Sequence, residues 1–314
     1  MARIAYLGPE GTFSEAALRE MIAADLIPGR GAEAVQPVPV DSTPAALDSV
    51  RGGTADYACV PIENSIDGSV TPTLDSLAIC SPLQIFAETT LDVAFSIVVT
   101  PARTAADVQT LAAFPVAAAQ VRRWLAAHLP TVELRPANSN ADAAKQVADG
   151  KVDAAVSSPL AAEHYALATL ADGVVDEPNA RTRFVLVGQP SPPPARTGAD
   201  RTAVVLRIDN APGALVSALT EFGVRGIDLT RIESRPTRVE LGTYVFFLDC
   251  VGHIDDDAVA EALKALHRRC ADVRYLGSWP TGVPAGASPP QSEDAERWLR
   301  RLSEGAPPDE RPAP

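Results

Sequence analysis

The sequence predicts an α/β protein: a body of two lobes, a proline-rich spacer, and a smaller β-α-β-β-α-β module. Three observations carry this reading. Strand-like and helix-like stretches alternate through residues 1–188, which is the pattern of a sheet covered by helices. The segment Gln189-Pro-Ser-Pro-Pro-Pro-Ala-Arg-Thr-Gly-Ala-Asp200 can form neither a helix nor a central strand, and its prolines make a stiff spacer. The whole chain, at 314 residues, is also too long for one ordinary core.

In the body, strand Arg3–Leu7 meets Gly8-Pro-Glu-Gly11, and a helix follows. Thr12 and Glu15 have capping-box spacing, with Phe13, Ala17 and Met21 on one stripe. Thr43-Pro44 starts a helix closed at Gly52. A strand at Tyr57–Ile62 and a helix at Thr71–Leu77 come next. Val93, Phe95, Ile97 and Val99 alternate as in a strand. A helix is predicted over Pro115–Leu129 and another over Ala141–Asp149. They are followed by a strand at Val152–Ser157, a helix at Pro159–Leu167 and a strand at Arg183–Gly188. This alternation predicts a mainly parallel sheet. The Leu83–Val99 crossover divides it into two lobes, with a cleft between them as the default ligand site.

Beyond the spacer, strands at Ala203–Ile208, Ile227–Ser234, Thr243–Cys250 and Val273–Trp279 alternate with helices at Gly213–Phe222 and Asp257–Arg268. That order is the ferredoxin-like split βαβ. Domains are therefore expected at 1–188 and 201–280. The Pro/Ala/Gly-rich tail from Thr281 is expected to be disordered apart from one short helix, Asp294–Leu302.

Composition narrows the function. A net charge of −13 disfavours nucleic acid and anionic membrane as partners. No window reaches the apolar length of a membrane span, and Met1 runs straight into a strand, so a cytoplasmic location is expected. The four cysteines and four histidines show no ligand spacing, so neither disulfides nor a metal are expected. An acidic protein that binds an anion must concentrate cations locally. Its cations are almost all arginine, the lysines being Lys145, Lys151 and Lys264.

The most informative stretch is Val60-Pro-Ile-Glu-Asn-Ser-Ile-Asp-Gly-Ser-Val70, a buried strand that opens directly into polar residues. Polar side chains at such a place need hydrogen-bond partners, and the carboxyl ends of strands are where α/β folds bind ligands. A capped turn would also explain Asn64 and Ser65. Together with Gly8-Pro-Glu-Gly-Thr-Phe-Ser14, Asn179-Ala-Arg-Thr-Arg-Phe184, Pro212-Gly-Ala-Leu215 and Glu233-Ser-Arg-Pro236, in that order, the stretch closely resembles prephenate dehydratase with a C-terminal ACT regulatory domain. The resemblance covers about residues 1–280.

It implies a body similar to periplasmic binding proteins, conversion of prephenate to phenylpyruvate with loss of water and carbon dioxide, and no cofactor. It also implies L-phenylalanine as effector and a homo-oligomer, dimer or tetramer, joined through the ACT domains. Thr182 is the residue the resemblance marks as essential. Its hydroxyl is expected to donate to the departing hydroxyl rather than transfer a proton alone. Glu63, a carboxyl at the end of a buried strand, is either the proton source or the group that orients Asn64. Asn64 and Ser65 are candidate donors to a substrate carboxylate, and Arg181 and Arg183 are candidates to neutralise one. Gly11 and Thr12 lie in a helix-opening loop whose N–H groups suit an anion. Gln120 matches a substrate-contacting glutamine of the family, but Ala113-Phe114 replaces the family's Ser-His nearby. Asn138–Asp142 is read first as a helix cap, with lining of the second lobe as the alternative. For the effector, Asn210, Gly213, Ala214 and Leu215 would hold the carboxylate, and Glu233 and Ser234 the ammonium. A non-catalytic amino-acid sensor and arogenate dehydratase remain alternatives.

Overall fold

The computed structural model describes residues 1–29, 35–290 and 293–305, in two units, Met1–Ser191 and Pro192–Pro314. In the first unit, β1 (Ala2–Leu7), α1 (Phe13–Ala23), β2 (Val35–Val40), α2 (Thr43–Arg51), β3 (Tyr57–Asn64), β4 (Gly68–Ser69), α3 (Thr71–Ile79) and β5 (Gln84–Asp92) build the first lobe. The second lobe holds β6 (Phe95–Val99), β7 (Thr110–Ala113), α4 (Pro115–Gln120), α5 (Arg122–His128), β8 (Glu133–Pro136), α6 (Asn140–Ala148), β9 (Ala154–Ser157), α7 (Pro159–His164) and β10 (Ala168–Val174). The chain then returns to the first lobe as β11 (Arg181–Gly188).

The first sheet runs β2-β1-β3-β11-β5 with β4 on β3, and the second runs β10-β6-β9-β7-β8. Both are mixed rather than mainly parallel. The return strand β11 pairs antiparallel with β3 and β5, because a strand arriving from the other lobe enters from the opposite end. Strand β2 was hidden by its prolines, Pro37 and Pro39. It lies at the sheet edge, where a missing N–H costs little.

Helix α1 starts where its spacing predicts. Thr12 Oγ1 accepts from the Glu15 N–H, and the Glu15 carboxylate reaches back to the Gly11 N–H at 2.6 Å. Ala17, Leu18 and Met21 are fully buried against β1, β3 and β5, each large side chain contributing about 1.5–3 kcal/mol. The helix predicted over Pro115–Leu129 is broken at Val121. The carbonyl of Gln120 accepts the Asp176 N–H at 2.6 Å, and the Asp176 carboxylate caps the Arg123 N–H at 2.9 Å. Those bonds from the β10–β11 connection replace the rungs a continuous helix would need.

The second unit comprises β12 (Asp200–Arg207), α8 (Ala214–Gly223), β13 (Leu229–Pro236), β14 (Tyr244–Val251), α9 (Asp257–Arg269) and β15 (Asp272–Pro280), followed by α10 (Glu293–Ser303). Its antiparallel sheet, β13-β14-β12-β15, has the ferredoxin-like order. Val204, Leu206, Phe222, Leu248, Val259 and Leu266 form its core. Residues 291–292 and 306–314 of the tail lie outside the described residues. No helix among the described residues is long and apolar enough to cross a membrane.

Candidate active site

The centre of the site is a cross-strand pair. In the β3–β11 ladder Thr182 faces Asn64 and Arg183 faces Glu63, so that Thr182 and Asn64, 118 apart in sequence, become neighbours. Asn64 Nδ2 donates to Thr182 Oγ1 at 2.9 Å. The orientation of that amide is fixed from the other side, because Asn64 Oδ1 accepts the N–H groups of Ile66 and Asp67 at 2.8 and 2.9 Å. With its oxygen engaged in that turn, Asn64 presents its NH2 to Thr182. The threonine oxygen thus receives a bond, and its own proton is left to point elsewhere. Thr182 lines a cavity of about 840 Å³, within the usual size range of small-molecule sites.

Glu63 is not the sealed carboxyl that its strand suggested. Its side chain is 39% exposed and makes a 3.0 Å ion pair with Arg183. Arg183, itself buried, also meets Glu88 at 3.3 Å, and Arg181 is paired with Asp92 at 2.7 Å on the exposed edge. Both arginines expected to neutralise substrate are therefore engaged by carboxylates, and neither lines the cavity. Ser65 is likewise occupied: its hydroxyl donates to the Asn179 carbonyl and accepts the Arg181 N–H, tying the entry to β11 onto the end of β3.

The glycine loop differs in the same way from the expected anion seat. The Gly11 N–H is taken by Glu15, and the Thr12 hydroxyl donates to the Leu7 carbonyl while capping α1. What the loop does is join the lobes. Gly11 has φ +86°, and a Cβ there would sit 2.9 Å from Cα and Cβ of Ala161 in α7. Its carbonyl accepts the Ser158 hydroxyl at 2.5 Å. Phe13 packs edge-on to Phe95 of the second lobe, with ring centroids 5.8 Å apart.

The rest of the cavity comes from the Asn138–Asp142 segment and from residues that carry no motif in the sequence. Asn138, Ser139 and Asn140 line it. Ser139 also caps α6, so the segment has both roles. Lys145, His164 and Tyr165 line the second-lobe side, opposite Glu10 and Asp41. His164 Nε2 lies 3.3 Å from a Glu10 oxygen, a contact from α7 to the loop after β1. Burial first, and then the Glu10 charge, push the Tyr165 phenol up, so it remains a hydrogen-bond donor. Phe114 gives the wall an apolar face. Gln120 is buried with its Oε1 unpaired among the described residues, but it does not line the cavity.

In the second unit, Asn210 and Gly213 are exposed at the turn into α8, where Gly213 takes φ +79°, and Ala214 and Leu215 are half-buried. Glu233 and Ser234 lie on the edge strand β13, separated from β12 by β14, and no described hydrogen bond joins the two segments.

A cleft between two α/β lobes with a directed hydroxyl on its wall, on a chain that also carries a ferredoxin-like module, defines a small-molecule enzyme with a sensor-type domain. Residues 4–192 match the prephenate dehydratase family and residues 202–268 the ACT domain. The chain is 78% identical over 307 residues to a prephenate dehydratase of Mycobacterium bovis (strain BCG / Pasteur 1173P2), covering 98% of this chain and 96% of that one. Its fold matches the crystal structure of a prephenate dehydratase from Arthrobacter aurescens in complex with L-Phe. The TM-score is 0.85 at 38% identity, over 97% of this chain and 100% of that one. A further similar structure, at 29% identity and TM-score 0.77 over 88% of this chain and 97% of that one, is GqqA, a quorum quenching acylase. The chain belongs to the prephenate dehydratase family, with an ACT domain.

Proposed function

We infer that the chain converts prephenate to phenylpyruvate, with Thr182 assisting departure of the ring hydroxyl, and that phenylalanine binding to its ACT domain inhibits it. The observation that carries the active-site reading is the Asn64–Thr182 bond, because it decides where the threonine proton goes. Prephenate is a cyclohexadiene whose breakdown produces an aromatic ring, so the reaction needs orientation and a hydrogen bond to the leaving group more than a strong acid. A threonine hydroxyl whose oxygen already accepts from Asn64 donates readily into the cavity, and a bond that strengthens as charge develops on the leaving oxygen lowers the barrier. Glu63 supports this indirectly by holding Arg183 beside the pair.

For regulation, the chemistry of Asn210–Leu215 and Glu233–Ser234 suits the two ends of an amino acid. Their separation within one sheet favours a site completed by a second copy. Ile232 on the edge strand, with Val216, Val239, Leu241 and Tyr244, gives the module exposed apolar surface for such an assembly, a dimer or a tetramer of dimeric ACT pairs. An effector bound between copies has different affinity for different arrangements of them, which is the requirement for feedback.

The test is direct. The purified protein is incubated with prephenate and with arogenate, and phenylpyruvate and phenylalanine are assayed. Thr182→Ala should lose about a hundredfold or more in kcat, and Thr182→Ser should retain part of it. An alanine variant with near-wild-type kcat would remove Thr182 from the chemistry.

A further inference from the structure

The dianionic substrate of this reading carries two carboxylates into a protein of net charge −13, so the site must supply positive charge locally. Arg181 and Arg183, the arginines nearest Thr182 in sequence, lie outside the cavity and are held by Asp92, Glu63 and Glu88. Among the described residues lining the cavity, Lys145 is the one permanent cation.

Its ammonium makes no described ion pair. The acidic residues along its own helix and the turn after it have nearer hydrogen-bond partners, although Lys145 still acts on Asp149 through its charge. Asp142, three residues before it and on the same cavity wall, accepts the Asn138 N–H at 2.9 Å and the Gln146 amide at 3.2 Å. Asp149, four residues after it, pairs with Lys151 at 2.9 Å. Across the cavity Glu10 faces His164 at 3.3 Å and Asp41 stands on the first-lobe wall, and no described ion pair joins either to Lys145.

We propose that Lys145 is a substrate-binding residue, the second-lobe cation that receives one carboxylate of prephenate while Thr182 faces the ring hydroxyl from the first lobe. The assignment rests on the reading of this cavity as the prephenate site. It divides substrate recognition between the lobes: the leaving-group contact is fixed in the β3–β11 ladder, and the carboxylate contact is carried on α6. A flexible ammonium suits that task, since one point charge at the end of a four-carbon stem can follow a carboxylate without a fixed fork geometry.

The experiment compares Lys145→Met and Lys145→Arg in two settings. In the Thr182→Ala background, where substrate persists, calorimetry with prephenate reads affinity. Methionine should weaken binding ~10- to 100-fold and flatten its dependence on salt, whereas arginine should stay within about threefold. In the otherwise wild-type enzyme, Lys145→Met should raise KM by a similar factor with a much smaller change in kcat. Lys145 is exposed, so circular dichroism of both variants should match the parent. Equal affinity of Lys145→Met and its parent would overturn the assignment, as would a fall in kcat with KM unchanged. A parent that neither binds nor turns over prephenate would instead overturn the reading of the cavity, and Lys145 with it.

Discussion

Replacing Asn64 with aspartate isolates the one bond that directs the Thr182 proton. The two side chains have the same shape, and a carboxylate oxygen in place of Asn64 Oδ1 could still accept from Ile66 and Asp67, so the turn closing β3 survives. The atom now 2.9 Å from Thr182 Oγ1 changes from donor to acceptor. To satisfy the carboxylate, Thr182 must turn its proton toward β3 and away from the cavity, which removes the bond to the departing hydroxyl. Loss of one oriented transition-state donor corresponds to about 2.7–4 kcal/mol, or roughly 10²–10³ in kcat. Thr182 gains a charge-assisted bond in exchange, so folding stability should change by less than about 1 kcal/mol. Asn64→Ala is the contrast, because it removes both the turn bonds and the amide and should lower stability as well as rate. Phenylpyruvate formation at saturating prephenate, with urea unfolding of each variant, separates these effects. Asn64→Asp turning over at more than about a third of the wild-type kcat would refute the argument, and a change confined to KM would make Asn64 a direct substrate contact.

Three further outcomes follow from the geometry. Gly11→Ala should destabilise the body by about 2–4 kcal/mol in urea unfolding, since φ +86° is strained for a side chain and the new Cβ meets the backbone of Ala161. Asp153 loses some favour for its charged form to burial. Hydrogen bonds from Thr110, Arg103 and Gln109 outweigh this and bring its carboxyl from 3.8 down to about 2. A depressed folded-state value gives stability that is present above about pH 4 and is lost as pH falls toward 2. Asp153→Asn should therefore cost about 1–2 kcal/mol at pH 7, with the difference from wild type shrinking across that acid window in pH-dependent unfolding. Gly213→Val should abolish inhibition by phenylalanine while sparing basal turnover. The space around Gly213 is open, so the effect comes from the φ of +79° that valine resists, which reshapes the turn into α8. Inhibition curves for the two proteins check it.

The kinds and order of the elements are legible along the chain wherever a local signal exists. Thr12 and Glu15 announced α1 because capping is decided within four residues, and the alternating apolar residues around β6 announced a strand. The motifs also singled out Thr182 and Asn64, which the fold joins by a hydrogen bond. Their partnership was not legible, because it depends on the antiparallel register of β11 on β3, a long-range pairing that no local spacing encodes. The break at Val121 was hidden for the same reason, since Asp176, which causes it, arrives from a distant connection. Charge was the least legible property. An arginine beside the threonine proposed as catalytic looks like an anion receptor in sequence, yet its neighbours in the fold, Glu63 and Glu88, come from two other strands and engage it. Lys145 shows the converse: in sequence it is one lysine on a helix with no motif around it, and only the packing of the second lobe against the first makes it part of a cavity wall. Local propensity is a property of neighbours along the chain, whereas charge, burial and hydrogen-bond direction belong to neighbours in space.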